Sequence, residues 1–166
     1  YQTAESHIYA IGDCIPTLQL AHVAAKEGEL AVAHIVEEIV EPLDYTHVPR
    51  CTYASLEVAT VGYTNNSLPK DKKIKIGTFA FSGNGKALIH GESTGFVEVI
   101  RDEETDDLLG VSIIGPHATE LISEGALGLY LNATPLELGE AIHPHPSLTE
   151  AVMEAALDTY GLAVHK

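Results

Sequence analysis

Gly95-Phe96-Val97-Glu98-Val99-Ile100-Arg101, then Asp102-Glu103-Glu104-Thr105-Asp106-Asp107, then Leu108-Leu109-Gly110-Val111-Ser112-Ile113-Ile114, is the stretch on which the fold turns. Two apolar runs rich in β-branched residues flank an acidic, turn-forming segment, which predicts two strands joined by a turn and an antiparallel sheet. Working outward, Thr52 to Val61, Lys73 to Phe81 and Ala87 to His90 read as further strands. Gly83-Asn84-Gly85-Lys86 reads as a hairpin turn; it lacks the remaining glycine of a phosphate loop. Helical periodicity then takes over, at Ala118 to Leu131, Pro135 to Ala141 and Leu148 to Tyr160. Strands grouped before helices predict an α+β domain, an antiparallel sheet with helices.

The first part of the chain has a different character. Ile8-Tyr9-Ala10-Ile11 predicts a short buried strand stopping at Gly12-Asp13, and Leu20 to about Val40 has helical spacing ended by Pro42. Gly28 within that helix either permits close backbone packing or is merely tolerated. The two prolines between Glu41 and Pro49 mark the expected boundary, dividing the chain into residues 1–43 and 44–166.

A hydrophobic content of 45% over 166 residues is enough for a core. A formal charge of −15 with only nine Lys plus Arg argues against a nucleic-acid partner, because phosphates demand clustered cations. No apolar run reaches the roughly 18 residues of a membrane span, and Tyr1 to His7 lacks the parts of a signal peptide. Cys14 and Cys51 match neither a zinc pair nor a redox CxxC, so reduced structural thiols and a cytoplasmic setting are expected, with the mitochondrial matrix left open. The sequence enters at a strand-like run without an initiating Met and is expected to be a fragment.

Chemistry concentrates in His143-Pro144-His145-Pro146-Ser147-Leu148-Thr149-Glu150. A carboxylate accepting the Nδ1 proton of a histidine fixes the tautomer and leaves Nε2 to take a proton. Against that, Ser147-Leu148-Thr149-Glu150 is an S-x-x-E capping box in which Glu150 would reach back to a backbone amide. Two carboxylate oxygens could serve both partners. A metal pair at His143 and His145 finds no further ligands at matching spacing. Asp13 at the strand end and Leu20-Ala21-His22 at the helix start could together face a cofactor, the alternative being a plain Asx turn.

Taken in order, Tyr9-Ala10-Ile11-Gly12-Asp13, Leu20-Ala21-His22, Ala54-Ser55-Leu56-Glu57-Val58-Ala59-Thr60-Val61-Gly62 and the HPHPSLTE segment resemble the pyridine nucleotide-disulfide oxidoreductases, most of all the branch that oxidises dihydrolipoamide. The resemblance covers essentially the whole chain. It implies the end of an FAD-binding domain followed, from about Asp44, by a dimer-interface domain. It further implies that Asp13 binds the ribityl chain of FAD and that Gln19, Leu20, Ala21 and His22 line the flavin. His145, held by Glu150, would be the acid–base residue at the flavin site of the other subunit of a homodimer. Electrons would pass from dihydrolipoamide through a disulfide and FAD to NAD, and the partner would be the lipoyl-bearing core of a 2-oxo acid dehydrogenase complex. The Gly-rich nucleotide motif and the Cys-x4-Cys pair of the family are not in these residues, so the chain alone is expected to be inactive and to retain no FAD. Two alternatives stand beside this: a non-catalytic dimerisation or docking module, and a related flavin disulfide reductase acting on another thiol.

Overall fold

A computed structural model describes residues 1–70 and 72–166, and the chain divides into two compact units, Tyr1–Val48 and Pro49–Lys166. That division lies at the end of the Glu41–Pro49 stretch; the 3-10 turn Tyr45–His47 is tied into the first unit by Tyr45, whose Oη donates to Glu27.

In the first unit, helix α1 runs from Ala21 to Ile35. Its predicted extension to Val40 fails at Glu37, which adopts φ 65; the amides of Glu37 and Glu38 donate to the carbonyls of His34 and Ala33, closing the helix by a Schellman motif. The predicted strand Ile8–Ile11 reduces to one bridge, Gln2 with Tyr9, since among the described residues no second chain segment offers a ladder. Gly12–Cys14 is a 3-10 turn. A Cβ on Gly28 would lie 3.3 Å from Ile11 Cδ1, so that glycine serves close packing of α1 on the segment before the turn. Fully buried Glu27 organises the unit, accepting from Gly12 N at 2.6 Å, Thr17 Oγ1 at 2.8 Å and Tyr45 Oη at 2.8 Å. Burial pushes its carboxyl up, but the three donors outweigh it and hold it below the usual range.

The second unit is a five-stranded antiparallel sheet built from β1 (Arg50–Thr52), β2 (Glu57–Gly62), β3 (Ile74–Ala80), β4 (Phe96–Asp102) and β5 (Leu108–Gly115) in the order β1-β2-β5-β4-β3. The expected Thr52–Val61 strand is two, because the chain turns at Tyr53–Leu56 and pairs Arg50 with Thr60. Residues Gly85 to His90 form a short helix, α2, rather than a hairpin and a strand. Asn84 Oδ1 caps it by accepting from Ala87 N, and Gly91 ends it at φ 72; cap and stop together outweigh a four-residue apolar run. Helices α3 (Ala118–Tyr130), α4 (Pro135–Glu140) and α5 (Glu150–Asp158) follow.

Strand alternation divides the sheet cleanly. Val61, Val97, Val99, Val111 and Ile113 bury one face against Leu121, Ile122, Ala151, Val152 and Ala155. The opposite face carries a cross-strand row of polar residues, Thr60, Ser112, Glu98 and Thr78. Helix α5 lies so close to β3 that a Cβ on Gly77 would meet Ala155 O at 2.2 Å, and Asp158 Oδ2 accepts from Thr78 N at 2.8 Å. Gly77→Ala is therefore expected to destabilise the chain by about 1–3 kcal/mol through forced separation of helix and strand; urea unfolding of the two proteins side by side checks this.

Glu57 ties β2 to the start of α3, accepting from Thr119 N at 2.9 Å and Thr119 Oγ1 at 2.7 Å. Those two bonds hold its carboxyl below the usual range despite burial. A depressed folded-state pKa means stabilisation that is present above the unfolded pKa and lost as pH falls through the folded one. Glu57→Gln is expected to cost about 1 kcal/mol at neutral pH. That deficit should disappear in acid, where Glu57 is itself protonated, and denaturation midpoints measured at both pH values give the comparison.

Candidate acid–base site

The segment between α4 and α5 holds two histidines, each paired with a carboxylate carried by a helix. His143 is turned inward, its side chain 7% exposed, with Nδ1 2.8 Å from Ala141 O and Nε2 2.6 Å from Glu124 Oε1 on α3. Both ring nitrogens face oxygen acceptors, so neither is left to take a proton from a substrate. His145 is turned outward, its side chain 79% exposed. Its Nδ1 lies 2.8 Å from Glu150 Oε1, while Glu150 Oε2 accepts from Ser147 N at 2.8 Å. One carboxylate thus serves the amide and the imidazole at once. Burial pushes the Glu150 carboxyl up, but the Ser147 amide and the His145 ring outweigh it and hold it below the usual range. An ionised Glu150 only accepts, so His145 carries its proton on Nδ1 and offers Nε2 as a base.

The frame around this pair is packed. Glu150 opens α5, whose Ala151, Val152, Ala155 and Ala156 are buried in the core. Asn84 Nδ2 donates to Ser147 O at 2.9 Å, so the cap of α2 also fixes the loop before α5. The His145–Pro146 peptide is cis. A shallow groove beside the pair is lined by Phe79, Asn84, Met153 and His165, among others. Its floor includes Glu154, 2% exposed, which accepts from Val164 N at 2.8 Å and approaches His165 Nδ1 at 2.6 Å.

The residues expected to face a cofactor lie in the first unit. Asp13 sits exposed in the 3-10 turn and makes no side-chain hydrogen bond among the described residues, so the Asx-turn alternative is not realised. Gly12, at φ 69, holds that turn against α1, since a Cβ there would lie 3.1 Å from Ala24 Cβ. Gln19, Ala21 and His22 are exposed; Leu20 is half-buried at the N-cap and supplies no side-chain cap. Sequence reasoning missed Glu27, Glu124 and Glu154. Each is a carboxylate inside a helix, and the only available signal was an acidic residue on an otherwise apolar helical face.

Residues 48–156 match the dimerisation domain of the pyridine nucleotide-disulphide oxidoreductases, and the chain belongs to that family. Its relatives include dihydrolipoyl dehydrogenases: one from Bacillus subtilis is 54% identical over 99% of this chain, and one from Halobacterium salinarum 42% identical over the same share. The chain spans 35% of the length of each. Among solved structures, LpdA from Mycobacterium tuberculosis superposes with a TM-score of 0.88 at 29% identity, covering 93% of this chain and 34% of that protein. The flavoprotein disulfide reductase RclA from Escherichia coli shares the fold, with a TM-score of 0.83 at 19% identity over 92% of this chain and 36% of its own.

Proposed function

We propose that this chain is the C-terminal part of a dihydrolipoyl dehydrogenase, in which His145 and Glu150 are the acid–base pair. The observation that carries this is the division of Glu150 between Ser147 N and His145 Nδ1, which holds the ring in the tautomer a general base requires. His145 Nε2 takes the proton of one dihydrolipoamide thiol. The resulting thiolate attacks one sulfur of a protein disulfide, breaking that S–S bond and forming a mixed disulfide. His145 gives that proton to the protein thiolate released and takes the proton of the second substrate thiol, whose thiolate attacks the substrate sulfur of the mixed disulfide and displaces the other protein sulfur; lipoamide leaves oxidised and the protein pair is left reduced. Cys14 and Cys51 are both free and single, so the disulfide belongs to the part of the relatives this chain does not span.

The first unit suits one end of an FAD site. An unengaged carboxylate at Asp13 matches the ribityl hydroxyls, and the start of α1, where the N-cap Leu20 supplies no side-chain cap, matches the electron-rich end of the ring, with Gln19, Ala21 and His22 beside it. Held there, FAD would supply the electron relay between the reduced protein thiols and NAD. The apolar strip Val32, Ile35, Val36 and Ile39, exposed on and after α1, is in keeping with a unit that completes its core against further chain.

Leu127, Tyr130 and Leu131 form a second exposed apolar face at the end of α3, with fully exposed Ile142. We assign this face to a homodimer in which His145 serves the flavin site of the partner subunit. A 2-oxo acid dehydrogenase complex in the cytoplasm is the setting this reading implies. No helix among the described residues is long and apolar enough to cross a membrane. Assay of the parent enzyme with NAD against dihydrolipoamide and against glutathione tests the assignment: turnover of the dithiol alone is expected. Preference for glutathione would make it a different thiol reductase, and turnover of neither would make it a dimerisation module.

A further inference from the structure

We propose that His90, Glu92 and His117 form a binding site for one divalent transition-metal ion of the zinc class. The three come from two connections distant in sequence. His90 ends α2 and Glu92 follows it, whereas His117 sits in the turn between β5 and α3. One ligand atom from each lies within 4.8 Å of the others, and the two imidazole rings meet edge to face with centroids 6.5 Å apart. Zinc bonds to imidazole and carboxylate are about 2.0–2.2 Å, so tetrahedral ligand atoms stand about 3.3–3.6 Å apart. All three side chains are exposed, and small side-chain rotations close that difference without disturbing the core.

Backbone packing is what makes the cluster more than a chance meeting of surface groups. Gly95, at φ 112, lies against the Ile114 carbonyl so closely that a Cβ would come within 1.8 Å of the oxygen. Gly115, at φ 151, leaves no room for a Cβ between the Phe81 ring at 2.6 Å and Thr94 O at 3.1 Å. The connection that carries His90 and Glu92 is thereby clamped to the turn that carries His117. His117 itself holds φ 54, which fixes the direction of its side chain. The positive end of α3 would repel a cation at His117, but Glu57 occupies Thr119 N and Oγ1 and supplies a compensating negative charge there.

The donor set selects the ion. Two imidazoles and one carboxylate suit zinc, copper(II) or nickel, whereas calcium and magnesium ask for oxygen donors alone. Three protein ligands leave a coordination position for water. None of the three residues lines the groove beside His145, so the site is separable from the acid–base pair.

Among the other histidine and carboxylate pairs, those at His145 and His165 have the most exposed imidazoles, and the test must exclude them. Chelator-treated full chain is titrated with zinc alone by calorimetry, and with cobalt(II) while its visible absorption is followed. One equivalent is expected for the wild type and for a His145→Gln, His165→Gln double variant. His90→Ala and His117→Asn, the latter chosen because asparagine tolerates φ 54, are each expected to weaken binding by about 100-fold or more, since even outer-shell losses cost about 10- to 100-fold. The cobalt absorption of a low-coordinate site should vanish in both. Unchanged affinity in His90→Ala and His117→Asn, or loss of the equivalent in the double variant, overturns the proposal.

Discussion

In the full-length parent enzyme, His145→Gln is expected to slow reduction by dihydrolipoamide by about 10²-fold or more, the low end of what a positioned general base contributes. Stopped-flow reduction by the dithiol reads this step directly. Reduction by NADH, which needs no thiol deprotonation, should keep its rate. The geometry explains why glutamine at 145 cannot compensate, since an amide offers no basic nitrogen where His145 Nε2 stands free. Glu150→Gln should cost less, and by another route. Its carbonyl can still accept from Ser147 N, which turns its NH2 toward His145 Nδ1 and favours the tautomer with the proton on Nε2. Thiol reduction at the wild-type rate in His145→Gln would remove the acid–base role.

The second large effect is expected at the end of α3. Leu127→Glu together with Leu131→Glu should raise the dimer dissociation constant by about 10²-fold or more. Each buried leucine contributes roughly 1.5–3 kcal/mol, and a twofold interface counts every substitution twice. Turnover should fall with the dimer and recover as protein concentration rises, because each His145 would act on the other subunit. Sedimentation velocity and activity measured over one concentration series provide both readings. Dimers of unchanged affinity would place the interface elsewhere.

The sheet was legible where the sequence punctuates itself. Strands β4 and β5 follow from alternation on either side of an acidic turn, and that turn is secured by Asp102, which pairs with Lys72 and accepts from Glu104 N at 2.9 Å. Tyr53-Ala54-Ser55 carries no glycine or proline, so β1 and β2 read as one strand. Ala87 to His90 is too short for periodicity to decide between strand and helix, and only the capping chemistry at Asn84 and Gly91 separates them. The same distinction runs through the site. His145 and Glu150 lie five residues apart, close enough for spacing to suggest their contact. Glu124 with His143 spans 19 residues, Glu154 with His165 spans 11 and Glu27 with Gly12 spans 15, and one sequence does not state such pairings.

The bond from Thr78 N to Asp158 has a bearing on how the protein behaves in solution. Strand β3 is a border of the sheet, and a border strand's outward amides invite another molecule to add a strand of its own. The acid at the close of α5 occupies one of those amides, so the helix that begins at Glu150 finishes by covering part of the sheet's border.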